Sequence, residues 1–177
     1  MPNIYRIFAY GSLIHPGSLT RTVPEARNIQ PAKAYGLKRV FNLASTYRYD
    51  QDHQAPICVL NAEPSEDNHE LNGTCFEMDE ISLENLLERE KGYIFTEIEA
   101  YYYHAPIQKF SAFYFTASDF PNYQYLANST TQRHYLNLCL TGSSQFGEQF
   151  VEDFKNTTHF WGIDDDDKKN SIWRGEY

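Results

Sequence analysis

Ile4-Tyr5-Arg6-Ile7-Phe8-Ala9-Tyr10-Gly11-Ser12-Leu13 is an apolar and aromatic run stopped by a glycine. It reads as a strand over Ile4–Tyr10 that breaks into a turn. Glycine lets the backbone bend sharply and approach a ligand closely. Consecutive N–H groups in such a turn can cradle an anion, for example a carboxylate. An ordinary strand-ending turn explains the same residues, and nothing within the run chooses between the two. Ser12 is a poor nucleophile candidate, because the Gly-x-Ser-x-Gly elbow is absent and no histidine is placed by sequence to activate it.

Working outward, Pro16-Gly17-Ser18 leads into a short helical piece over Leu19–Val23. Strand patterns follow at Ala34–Thr46, which is long enough to bend, then at Ala55–Ala62 and Gly73–Met78. The polar stretches Tyr49–Gln54 and Glu63–Asn72 read as loops. Tyr93–Tyr103 and Gln108–Thr116 are two more strands, with Glu97 and Glu99 on an outward or barrel-lining face. A break at Phe120-Pro121-Asn122 precedes two helical patterns. One carries Tyr135, Leu136, Cys139 and Leu140, the other Phe146, Phe150, Val151 and Phe154, with Gly142 between them. Strands in a clump with few crossover helices predict an α+β fold with a mixed, barrel-like β-sheet and flanking helices. One domain over 1–160 and an acidic, aromatic tail over 161–177 are expected. Within the tail, Asp164-Asp165-Asp166-Asp167-Lys168 reads as a solvated segment; it also matches a protease-tag cleavage sequence, so sequence alone leaves its origin open.

The clearest helix runs from Ser82, a good N-cap, to Glu90, with Gly92 as terminator. At about 100° per residue, Leu83, Leu86 and Leu87 share one face. Glu90 lies seven, four and three positions after them, so it projects from the apolar stripe. A carboxylate there must be hydrogen-bonded, paired or used. Burial raises its pKa, which suits a general base near neutral pH. Fraying of the helix end, which would turn Glu90 to water, is the plain alternative.

The bulk numbers narrow the function. The 177 residues suit one domain. The formal charge of −9 repels phosphate backbones, so nucleic acid is not an expected partner, whereas amines and zwitterions remain compatible. Cys58, Cys75 and Cys139 are odd in number and sit among apolar neighbours, which reads as buried, reduced thiols. No run approaches about 18 apolar residues, and the N-terminus lacks a signal-peptide pattern, so no membrane association and a cytoplasmic location are expected. The six histidines show no metal-ligand spacing, and no metal is expected. His15 lies near the Gly11 turn in sequence but reads as a surface loop residue.

The strand-end loop and the helix-end glutamate together resemble the γ-glutamylcyclotransferase-like superfamily. The resemblance rests on Phe8-Ala9-Tyr10-Gly11-Ser12-Leu13, on Leu87-Glu88-Arg89-Glu90-Lys91-Gly92-Tyr93, and on Tyr135-Leu136-Asn137-Leu138-Cys139-Leu140-Thr141-Gly142 followed by Gly147. These short motifs, in the expected order over roughly residues 5–147, imply a small mixed barrel with a pocket at the strand ends. They also imply release of 5-oxoproline from a γ-glutamylamine or γ-glutamyl peptide, with no cofactor and with Glu90 as general acid and base. Tyr10, Gly11, Ser12, Leu13, Tyr93 and Tyr135 are the implied substrate-binding residues. The only implied partner is the small γ-glutamyl substrate, to a monomer or homodimer. Leu13 departs from the asparagine common in members acting on γ-glutamyl amino acids or glutathione, and looks more like the branch acting on γ-glutamylamines or on acylated antibiotic precursors. The alternative is a non-catalytic small-molecule-binding or protein-interaction module on the same fold.

Overall fold

The computed structural model describes residues 1–66, 68–117 and 122–176. The expected break at Phe120-Pro121 therefore lies outside the described residues, as do Asp67 and Tyr177. Strands β1 (Ile4–Ala9), β2 (Arg27–Tyr35), β5 (Glu70–Asp79), β6 (Ile94–Tyr102) and β7 (Ala105–Thr116) close into a barrel of order β1-β5-β2-β6-β7. All pairings are antiparallel except β1 with β7, which is parallel. Strands β3 (Leu37–Asp50), β4 (Ala55–Pro64) and β8 (Thr158–Phe160) form a second sheet, order β4-β3-β8. The expected mixed, barrel-like α+β architecture is present, with α1 (Pro16–Thr22), α2 (Glu80–Arg89), α3 (Thr130–Ser144), α4 (Glu148–Asn156) and α5 (Asp166–Arg174) around the sheets.

Several local expectations need correction. The long strand expected over Ala34–Thr46 is two strands, parted at Gly36, whose φ of +71° turns the chain from the barrel into the second sheet. The first short helix begins earlier than Leu19, at Pro16, because His15 caps it: its Nδ1 accepts from the Gly17 N–H at 3.1 Å. Ser82 is not the N-cap of α2. Asp79 is, accepting from the Ser82 N–H at 2.9 Å, so the helix starts two residues before Ser82. Leu87 is 37% exposed, so only Leu83 and Leu86 bury the helix's apolar face. The expected loops are shorter than read, because strand pairing extends into Tyr49–Asp50, Glu63–Pro64 and Glu70–Asn72. Glu97 and Glu99 are both exposed, on the outward side of β6.

Gly142 does not separate the last two patterned helices. It lies inside α3, and the break falls at Gly147, which has φ +100°. A Cβ at Gly142 would stand 2.6 Å from the His15 backbone N and 2.7 Å from its Cα. The glycine is required by close approach of α3 to the loop after β1, not by a turn. The acidic run also contributes to structure. Asp165 caps α5 by accepting from the Lys168 N–H at 3.0 Å, Ile172 is 3% exposed, and Trp173 packs on Phe160.

Arg39 joins the two sheets. It is fully buried, with its guanidinium 4.0 Å from the centroid of Phe154. Nε donates to the Tyr10 carbonyl at 2.9 Å, and Nη1 donates to the Phe154 carbonyl at 3.2 Å and to Thr157 Oγ1 at 2.9 Å. Nη2 donates to the Asn72 carbonyl. Burial lowers its pKa to about 9, which still leaves a cation at neutral pH. Asn61 and Thr116 add a second seam: Asn61 Nδ2 donates to the Ala117 carbonyl at 3.0 Å, and Thr116 Oγ1 to the Ala62 carbonyl at 2.7 Å.

Two variants test these joints by urea denaturation. Arg39→Leu removes the donors from several buried acceptors, and should cost about 3 kcal/mol or more in unfolding free energy. Gly142→Ala drives a methyl group into the His15 backbone, and should cost about 1–3 kcal/mol, the range of an overpacked core. Wild-type stability in either would contradict these roles.

Candidate active site

Strand β1 ends at Ala9, and the chain turns at Gly11 into a single 3₁₀ turn over Ser12–Ile14. The turn is clamped from below. Arg39 holds the Tyr10 carbonyl, α3 presses Gly142 against His15, and Gln145 Nε2 donates to the Ile14 carbonyl at 2.8 Å. The N–H groups of Ile14 and His15 are bonded back to Gly11 and Ser12. Those of Ser12 and Leu13 head the turn, where a helix has no acceptor of its own to offer. A Cβ on Gly11 would meet Tyr135 Oη at 3.3 Å, so that close approach favours glycine.

Helix α2 delivers Glu90 to the same place. Glu90 is its C-cap, with its N–H bonded to the Leu86 carbonyl at 2.9 Å, and its own carbonyl accepts from the Tyr93 N–H at 3.1 Å. The helix end is therefore ordered, and Glu90 is half-buried rather than turned fully to water. Burial raises its pKa, opposed by the neighbouring Arg89 guanidinium. Among the described residues, no cation lies within ion-pairing distance of its carboxylate. Burial, helped by the Glu90 charge, also pushes the Tyr10 and Tyr93 phenols upward.

A cavity of about 340 Å³ opens between these elements. Tyr10, Gly11, Ser12, Leu13, Glu90, Tyr93 and Tyr135, the residues singled out by sequence, all line it. Tyr10 Oη donates to the Phe115 carbonyl at 2.6 Å, which fixes its ring across the barrel end. Tyr135 is buried, and its hydroxyl accepts from the Leu60 N–H at 3.2 Å. Phe8, Leu60 and Phe115 supply apolar wall.

The remaining wall was not foreseen. Between Ala44↔Cys58 and Tyr49↔Pro56 the β3–β4 register advances five residues on β3 against two on β4, so three residues bulge from the ladder. Ser45 Oγ shapes the bulge by accepting from the N–H groups of Tyr47 at 3.2 Å and Arg48 at 2.9 Å. Such bulges re-aim side chains. Here Ser45, Thr46, Tyr47 and Arg48 become lining residues, and Tyr47 Oη donates to the Arg89 carbonyl at 3.1 Å, tying the bulge to the helix that carries Glu90. In sequence the only cue is Ser45-Thr46-Tyr47-Arg48 at the polar end of an otherwise apolar strand.

The three cysteines are buried and free, and burial pushes each thiol up to about 12, which leaves none of them reactive near neutral pH. His15 is occupied in capping α1. Among the described residues, Glu90 is the cavity's only carboxylate.

The raised pKa of Glu90 has a stability consequence. The folded state favours its protonated form, so this stabilisation is complete below the ordinary value of 4.5 and is lost as pH rises through the folded value. Glu90→Gln should therefore gain stability relative to wild type as pH increases from 4 to 8. A pH series of thermal melts checks this, and a variant that loses ground with rising pH would contradict it.

No family model matches the sequence, and no curated protein does. Solved structures do match. A γ-glutamyl cyclotransferase superposes with a TM-score of 0.69 at 14% identity, covering 97% of this chain and 99% of the other. An uncharacterised human protein gives 0.68 at 15% identity, over 96% and 98%. A yeast γ-glutamyl cyclotransferase specific to glutathione gives 0.65 at 15% identity, over 87% and 95%. With its five-stranded barrel, second sheet and matching extent, the chain has the γ-glutamylcyclotransferase-like fold.

Proposed function

We propose that the protein is a γ-glutamyl cyclotransferase, with Glu90 as general base and then general acid. The observation that carries this reading is a half-buried carboxylate, the only one in the cavity and without an ion-pair partner among the described residues, beside the Tyr10–Leu13 turn. The backbone N–H groups of Ser12 and Leu13 are suited to the substrate's α-carboxylate, and Tyr10, Tyr93 and Tyr135 to the folded glutamyl chain. That arrangement brings the α-nitrogen near its own γ-carbonyl and supplies the proximity that cyclisation needs.

The α-ammonium gives a proton to Glu90, and the freed amine attacks the γ-carbonyl carbon. A C–N bond closes the five-membered lactam, and the bond to the departing nitrogen breaks. Over the reaction two hydrogens leave the α-nitrogen and two reach the departing nitrogen, so the products are 5-oxoproline and an ammonium. A carboxylate with a raised pKa can take and return one proton at a time. The chemistry calls for no cofactor. Among the described residues no helix is long and apolar enough to cross a membrane.

Glu90→Gln should lower kcat for 5-oxoproline release by about 10²–10⁴-fold, the usual weight of a positioned acid–base group. Full activity in that variant would refute the reading, as would absence of 5-oxoproline from every γ-glutamyl compound given to the wild type. In active protein the acidic limb of kcat/KM should fall above the ordinary glutamate range, moving with the raised pKa of Glu90. A limb at or below 4.5 would place the base elsewhere.

A further inference from the structure

The cavity holds two cations that the proposed chemistry does not use. Among the described residues its charged lining is Arg48, Arg89 and Glu90, a local balance of +1 (two positive, one negative) in a chain of net charge −9. Arg48 lies over the face of Tyr135, 5.3 Å from the ring centroid, and Arg89 over Tyr47 at 5.9 Å. Among the described residues neither has a carboxylate within 4 Å. Both side chains line the cavity while remaining exposed, each resting on an aromatic ring. The bulge that presents Arg48 is closed by Ser45 and tied by Tyr47 to the Arg89 carbonyl. Two guanidiniums without carboxylate partners, on aromatic supports beside a cavity, are arranged for an anionic ligand group.

A γ-glutamylamine carries one carboxylate, and the Ser12–Leu13 turn is suited to it. A γ-glutamyl amino acid or peptide carries a second, on the half that departs. We infer that Arg48, supported by Arg89 in the lining of the same cavity, binds a carboxylate of the leaving group, so that the site prefers γ-glutamyl amino acids and peptides to γ-glutamylamines. This rests on the cyclotransferase reading and decides the question Leu13 left open. Leu13 adds only apolar surface, which serves either leaving group, whereas the arginines distinguish them by charge. A cationic leaving group is disfavoured on the same ground.

The test is a matched pair, γ-glutamylalanine and γ-glutamylethylamide, which differ by the one carboxylate. Binding is measured by calorimetry on E90Q protein, in which the chemistry is stalled, and on E90Q proteins that also carry R48Q or R89Q. The expected result is γ-glutamylalanine bound at least about tenfold more tightly, as a charge-assisted contact allows. R48Q should bring the ratio toward one, R89Q should reduce it, and R48K should restore part of it. For the wild-type enzyme the same preference should appear in KM rather than kcat. Equal binding of the two compounds, tighter binding of the ethylamide, binding of neither, or a preference that survives both arginine substitutions would overturn the inference. Absence of 5-oxoproline from both compounds with wild type would instead strike the cyclotransferase reading, because the binding ratio is read without turnover.

Discussion

A guanidinium with no carboxylate partner among the described residues sits where the two sheets meet, and much of the structure is arranged to satisfy it. Arg39 reaches from β3 to the end of β1 at Tyr10, to β5 at Asn72, to α4 at Phe154 and to Thr157 just before β8. Its charge is spread over carbonyl oxygens and the face of Phe154 instead of one counter-ion. An isolated buried charge would be prohibitive. Here the backbone supplies the partial negative charges, and each acceptor must stay in place for the cation to stay buried. One side chain therefore ties the barrel, the second sheet and α4 to one another.

The cavity inherits that rigidity on one side only. The Tyr10–Leu13 turn is held by Arg39, by the close approach of Gly142 and by Gln145. Glu90 and the Ser45–Arg48 bulge form the opposite wall, joined to each other through Tyr47. At its far end the bulge is anchored by Asp50, whose buried carboxylate accepts from Ser129 Oγ at the cap of α3 and from the His53 N–H. A preorganised turn facing a wall made of exposed long side chains suits a site that grips a constant part of its substrate and adapts to a variable one.

Four of the barrel's five strands were legible from their apolar patterns, and Gly11 marks the end of the first; β2 was not, because Arg27–Lys33 is mostly polar and exposed and holds Pro31. Glu90 was legible because a carboxylate four residues after Leu86 breaks the helical pattern, and C-cap geometry keeps it half-buried. Errors clustered where a residue's role depends on a distant partner. Gly142 looks like a helix break until the His15 backbone is seen against it. Ser82 fails for a local reason, because Asp79 three residues earlier takes its N–H. The aspartate run is exposed, as its composition implies, and what the sequence did not show is that Asp165 caps a helix whose Ile172 and Trp173 reach the core.

The sequence by itself determined the class of fold, the end of the first strand and the displaced carboxylate, since each is written in local periodicity and glycine placement. It held no sign that Arg39 would be the joint of the molecule, because a lone arginine in a strand is ordinarily a surface residue. Nor did it reveal the wall of Ser45 to Arg48. A bulge arises only from the mismatch of two paired strands, and that mismatch exists only once β3 and β4 lie side by side. Tertiary structure alone decided which charged groups share the cavity, because its walls come from elements separated by more than a hundred residues.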